Sequence, residues 1–255
     1  PLTRDNAGKS IINIFYIFGD AWKNIPFRKL CIATFLVFNS FQTIAAFSFF
    51  IIVHYLFSGD ASAAGIWPAM HGSVGAIVTT FLVIPLVSKM AQSYGKKETF
   101  IISQCISIIG YVLFWFLFVP GKPYMFLFAL PFFSFGIGGL FTLMMSMTAD
   151  ACDYEELRKG LPRKEGSFGA IYWWMIKLGT ALAGLLSGFI MYYVGFAGDA
   201  STQPEGALTG LRIAYSTIPV VGTLFAIYVM RDYEIDEQRA AEIKKQLSQR
   251  NEGAN

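Results

Sequence analysis

The sequence predicts an all-α membrane protein, built as a bundle of six transmembrane helices. Three observations predict it. Of 255 residues, 55% are hydrophobic and only 15% are charged, against about 25% charged in a soluble domain. Six apolar runs follow one another along the chain, each long enough to cross a bilayer. Lys and Arg crowd into alternate connecting segments. A helix rises about 1.5 Å per residue, so about 20 apolar residues cross a hydrocarbon core of about 30 Å. This composition argues against a water-soluble enzyme, and a net charge of +3 is too small to imply nucleic acid.

The elements follow in order. Residues 10–18 are apolar but too short to span, and suit the membrane interface. Residues 30–57 form the first span and carry Asn39, Gln42, Thr43 and Ser48. Asn39, Gln42 and Thr43 share a face at helical spacing, so they line a polar cavity or bond between helices. Residues 66–87 form the second span, with His71 close to Pro68. A lone His there reads as a satisfied bundle residue before a proton carrier. Residues 99–119 and 124–148 are the third and fourth spans, and Gly136, Gly138 and Gly139 make the fourth flexible or closely packed. None of these four contains Asp, Glu, Lys or Arg. The fifth, residues 168–194, contains only Lys177, and the sixth, residues 211–230, has Arg212 at its start. Residues 232–250 lack Pro and Gly and read as a helix with a thin stripe of Ile235, Ile243 and Leu247, resting on the bundle or on the membrane surface.

Seventeen of the 20 Lys and Arg fall in the N-terminal segment, the loops after spans two and four, and the C-terminal segment. Lys122 and Arg212 alone mark the other side. By the positive-inside rule both termini are cytoplasmic, and the loops 58–65, 120–123 and 197–210 are external. Cys31, Cys105 and Cys152 are odd in number and widely spaced, which reads as free thiols with neither a disulfide framework nor metal-ligand spacing. The chain begins at Pro1 and its first Met is Met70, which reads as a piece of a longer protein.

Lys177 lies nine residues into its span, roughly 14 Å deep. An ammonium there costs about 2.5–3.5 kcal/mol on insertion scales and by default faces protein or water. None of the 17 acids lies inside a span. The countercharge is therefore expected from substrate, water or further protein. Trp173 and Trp174 precede the lysine by four and three residues, placed either to stack on a sugar ring or to pack against lipid and helix. Gly184 and Gly188 form a GxxxG that reads as close helix packing. After span four comes a dense polar segment with Asp150, Asp153, Glu155, Glu156 and Glu165 among Arg158, Lys159, Arg163 and Lys164, which taken alone reads as a solvated charged loop. No nucleophile–base pair, metal set or phosphate loop is visible, so the chain does not read as an enzyme.

The segment from Ser146 to Gly184, SMTADACDYEELRKGLPRKEGSFGAIYWWMIKLGTALAG, resembles the glycoside–pentoside–hexuronide:cation symporters, the melibiose permease-like branch of the major facilitator superfamily. Asp150, Asp153, Tyr154, Arg163, Glu165, Lys177 and Gly179 fill the places of that family's pattern. The resemblance covers essentially the whole chain and the C-terminal half of the family's twelve-span fold. It implies that residues 1–29 end a cytoplasmic linker, 30–230 form the six-span half, and 231–255 are a cytoplasmic tail. It also implies cation-coupled symport of a sugar or glycoside by alternating access, with a site shared with a missing N-terminal half. Lys177, Trp173, Trp174, Phe141, Asn39 and Gln42 would lie near that site. Asp150, Asp153, Glu156, Arg163 and Glu165 would join a cytoplasmic gate of charges. The coupling cation would be Na⁺ or H⁺, with no covalently bound cofactor, and the setting a bacterial inner membrane. The alternatives are a lipid-type symporter of the same family or a self-contained six-span scaffold or subunit.

Overall fold

The computed structural model describes residues 17–160, 164–198, 202–204 and 206–252. Among them, six helices are long and apolar enough to cross a membrane. The first is α1, Ile25–Phe50, continued by a π-helical turn at Ile51–Leu56. The second is α2, Ala76–Tyr94, led in by a helical turn at Trp67–Ala69 and a π-helical turn at Met70–Gly75. Then come α3, Lys96–Leu117, and α4, Leu130–Lys159, the latter entered through a 3₁₀ segment at Pro123–Ala129. The last two are α5, Glu165–Tyr193, and α6, Ala207–Arg231. A shorter polar helix, α7, runs over Glu237–Glu252.

Local chemistry sets the ends. Asn24 caps α1, accepting from the Phe27 amide at 3.0 Å, with Pro26 in the first turn. Gly160 ends α4 in the left-handed region at φ 67°, where glycine carries no Cβ penalty. The fourth helix therefore runs well beyond the expected boundary at residue 148. Residues 149–159 are helical, and the connecting loop shrinks to the few residues after it. Strong helix formers and the i,i+3 and i,i+4 pairs of Glu155 with Arg158 and Lys159 carry the extension.

The packing repeats. α1 lies against α5 and α6 much as α4 lies against α2 and α3. The two triplets meet where α1 touches α4 and α3 touches α6. So α1 and α4 form the middle, α2 and α5 flank them on one side, and α3 and α6 stand on the other. Two buried clusters hold the bundle. One lies at the Lys- and Arg-rich end, with Phe27, Leu30, Met144 and Tyr172; Ile235, Ile243 and Leu247 of the tail join it, as the stripe predicted. The other lies at the opposite end, with Phe47, Ile51, Phe114, Phe126 and Tyr215.

Glycines set the approach of the helices. A Cβ on Gly110 would sit 2.5 Å from the Phe133 amide nitrogen, so α3 meets the backbone of α4 directly. Gly136 and Gly139 face Ser107 and Ser103 of α3, and Gly138 faces Val83 of α2, which makes this glycine set one of close packing. Gly110→Ala is therefore expected to destabilise the bundle by about 1–3 kcal/mol through overpacking, read as a lowered melting temperature in detergent.

Candidate functional site

The segment expected to be a solvated loop is instead the packed base of α4. Asp150, Asp153 and Glu155 are all buried there. Asp150 pairs with Lys96 at the start of α3 and with Lys244 of the tail helix, the latter at 3.2 Å. Glu156 pairs with Arg250 at 3.2 Å. Glu155 accepts from Arg158 at 3.1 Å and from the Asn24 side chain at 3.0 Å, and it pairs with Lys159. The same Asn24 amide reaches the Ala151 carbonyl at 3.2 Å. Lys159 and Lys164 both hold Asp20, at 2.6 and 3.2 Å. Burial, with Asp150 and Glu234 adding to it, pushes the Tyr233 phenol above its ordinary value beside this cluster. The expectation of solvation fails because the helix continues and turns the acids inward, where cations from three parts of the chain, the start of α3, the end of α4 itself and the tail helix, meet them. Arg163 lies outside the described residues.

Higher in the bundle, α5 presents three different faces. Gly179 meets α1, where a Cβ would lie 3.0 Å from the Phe35 carbonyl oxygen. Asn39 donates to the Gly179 carbonyl at 3.3 Å, so Asn39 serves a bond between helices. Thr43 donates back to the Asn39 carbonyl within α1. Lys177 is two residues from Gly179 and so turned about 160° away from α1. It is exposed, and it makes no hydrogen bond, ion pair or ring contact among the described residues. Its face carries Ala170, Trp173, Ala181, Gly184 and Gly188, while the neighbouring face carries Trp174, Leu178, Leu185 and Phe189. The second face is bulky and apolar, as suits lipid. The first sets Lys177 and Trp173 among the small residues Ala170, Ala181, Gly184 and Gly188. Nothing within 4 Å meets a Cβ built on Gly184 or Gly188, so among the described residues the close approach to α5 is made at Gly179 and not at this GxxxG.

The other predicted residues are spread along the open side. Gln42 is part-exposed on α1, on a stripe with Phe35, Asn39 and Phe49. Phe141 of α4 is 42% exposed and meets Phe38 edge-on, with ring centroids 5.6 Å apart. Trp173 and Trp174 are both about half exposed. Trp174 lines an apolar cavity of about 600 Å³ with Phe18, Ala170 and Ile171, near the base of α5. The structure thus gathers Asp150, Asp153 and Glu156 at the base of α4, while Glu165 is exposed at the start of α5 and Lys177, Gln42 and Phe141 stand on separate stretches of open surface. His71 is a buried bundle residue, with Nε2 bonded to the Tyr215 hydroxyl at 2.8 Å and Nδ1 without a hydrogen-bond partner among the described residues. Sequence reasoning missed Asp20, Asn24, Lys96, Lys244 and Arg250. Asn24, two residues before Pro26, carried a readable capping signal. The others are surface-like charges whose partners lie far along the chain.

A polytopic helical membrane protein with one closed, charge-tied end and one open, lysine-bearing side is the class that this architecture defines. Residues 3–237 match the family described as MFS/sugar transport protein, and the chain belongs to that family. It is 28% identical, over 89% of its length and 48% of the relative's, to the glucuronide carrier protein homolog of Escherichia coli (strain K12). It is 26% identical, over 70% of its length and 37% of the relative's, to a protein of the same strain provisionally named glycoside/cation symporter YagG. It is 23% identical, over 70% of its length and 37% of the relative's, to the isoprimeverose transporter of Lactiplantibacillus pentosus. The chain spans less than half the length of each of these curated relatives.

The charged base carries a pH signature. The hydrogen bond from Lys159, aided by Lys164, holds the Asp20 carboxyl below its ordinary value of 3.8. A carboxyl depressed on folding contributes stability above its unfolded value, and that contribution is lost as pH falls through the folded value. The melting temperature in detergent is expected to fall as pH drops below about 4, and Asp20→Asn is expected to flatten that part of the curve while lowering the neutral-pH plateau.

Proposed function

We propose that this chain is the C-terminal half of a cation-coupled symporter for a sugar or glycoside. Its open side, flanked by α2 and α5, faces a second six-helix half, and substrate and cation bind between the two. The observation that carries the reading is the face of α5 that holds Lys177. A buried-depth ammonium with no partner among the described residues needs a countercharge. The small residues above and below it leave room for a helix or a ligand, which a lipid-facing surface does not require. The family and the glycoside- and sugar-named relatives support the substrate class.

In this mechanism the two halves rock about a site near the midplane. Lys177 holds carboxylates of the other half in register, or answers an empty cation site with Na⁺ or H⁺ as the coupling ion. Gln42 and Phe141 offer a polar and an aromatic contact to a sugar, and Trp173 borders the lysine one turn away. The base of α4 acts as the inward gate. Asp150, Asp153, Glu156, Arg163 and Glu165 belong to it, and its cations exchange between partners in this half and in the other. The termini lie in the cytoplasm of a bacterial inner membrane. Residues 1–29 end the linker between halves, 30–230 form the half itself, and 231–255 are its tail.

Uptake of radiolabelled glycosides by cells making the full-length protein tests the reading. Lys177→Ala is expected to reduce accumulation to the level of cells lacking the protein, with the same amount recovered in the membrane fraction. Accumulation equal to the parent would refute the role of this lysine.

A further inference from the structure

One buried donor at the charged base has no acceptor. Tyr233 follows α6 directly, its amide donating to the Met230 carbonyl at 3.1 Å. Its side chain is 3% exposed and belongs to the buried cluster that also holds Met147, Met230 and Ile235. The hydroxyl is shut off from solvent and makes no hydrogen bond among the described residues. A fixed segment keeps it there. Lys29 of α1 donates to the Asp232 carbonyl and reaches Glu234 at 4.0 Å, so the residues on either side of Tyr233 are pinned to one helix. Four residues on, the Glu237 Cβ lies 3.7 Å from where a Cβ on Gly95 would be. The segment therefore crosses from the end of α6 to the turn before α3, next to the Lys96 that holds Asp150.

A buried hydroxyl without a partner is a standing cost in the folded state, and its persistence calls for a use. Beyond burial itself, the charges that reach this phenol are those of Asp150 and Glu234. Glu234 has a half-exposed side chain, with water and Lys29 to satisfy it. Asp150 has no such access to water. Its side chain is 4% exposed, and its two oxygens are held by Lys96 and Lys244, one each. In a gate whose cations exchange partners, these lysines leave as the base opens. A carboxylate left buried without them is strongly disfavoured. A hydroxyl donates to a carboxylate in a short, strong hydrogen bond and brings no buried charge of its own. We propose that Tyr233 is a positioning residue of the inward gate: its hydroxyl, unused while Asp150 holds both lysines, donates to Asp150 when they leave and so supports the open base, a role that rests on the α4 base being a gate.

Cys152, 2% exposed in the same cluster, is a native reporter of opening. Its alkylation by N-ethylmaleimide in the full-length protein, followed by peptide mass spectrometry, is expected to be slow but measurable in the parent. Tyr233→Phe keeps the ring and removes only the hydroxyl. It is expected to slow that alkylation about ten-fold, the worth of one hydrogen bond to a charged group, and to leave the melting temperature in detergent unchanged or higher. A merely structural tyrosine gives the opposite signs, faster alkylation and a lower melting temperature, and that result overturns the proposal. Equal alkylation rates in parent and variant overturn it as well, as does a Cys152 that never reacts in the parent. Asp150→Asn identifies the acceptor. With the carboxylate gone, adding Tyr233→Phe is expected to change the alkylation rate no further. An undiminished slowing in that background would assign the hydroxyl to another partner and sink the proposal. Glycoside uptake separates this role from the transport reading. Cells that make the parent and accumulate no glycoside refute that reading, while the thiol rates, which need no substrate, still decide the gate. Where uptake is measured, Tyr233→Phe is expected to lower its maximal rate with KM little changed.

Discussion

Glu155 is a carboxylate with only 8% of its side chain exposed, and it is satisfied by Asn24, Arg158 and Lys159 at once. Asp150, 4% exposed, is satisfied by Lys96 and Lys244. Buried charge is tolerated only when it is paired and hydrogen-bonded, so these two acids dictate where the surrounding chain goes. The entry to α1, the start of α3, the base of α4 and the tail helix must all converge on one end of the bundle. Asp20 extends the same web through Lys159 and Lys164. Without these acids the tail would have one apolar stripe and no register.

The opposite constraint governs the open side. The equivalent packing of α1 on α5 and α6 and of α4 on α2 and α3 closes the centre and the α3–α6 side, yet leaves one face of α5 with a lysine, small residues and no neighbouring helix among the described residues. Internal repeats with a site at their meeting surface are a recurrent plan in carriers. In the proposed arrangement, closure at the charged end and openness at mid-depth place an ammonium with no partner among the described residues where a second body would remove its cost.

Much of this was legible in the residues. The six spans are set by composition and length, because a bilayer allows a spanning backbone few solutions beyond the helix. The tail helix and its stripe of Ile235, Ile243 and Leu247 were readable from spacing. The isolation of Lys177 was readable because no acid shares any span. The base of α4 was not. A run such as CDYEELRK looks the same whether its acids meet water or Lys244, and nothing local announces a partner some 90 residues away. The GxxxG of Gly184 and Gly188 names no partner for a related reason. The motif states that a close approach is permitted, and the identity of the approaching helix is tertiary information. Arg212 was read only as a boundary charge, since Tyr55 and Trp115, whose ring centroids lie 4.0 and 4.6 Å from its guanidinium carbon, come from elements far along the chain.

The π-helical turn at Met70–Gly75 carries a last implication. It runs directly into α2 and absorbs one surplus residue, so the turns after it keep their original angular phase. A helical wheel drawn straight through it would rotate every later side chain of α2 by about 100° and set lipid-facing residues against the bundle. Insertions and deletions of a single residue between relatives should therefore gather in this window, where the length of the chain can change while the surface it presents does not.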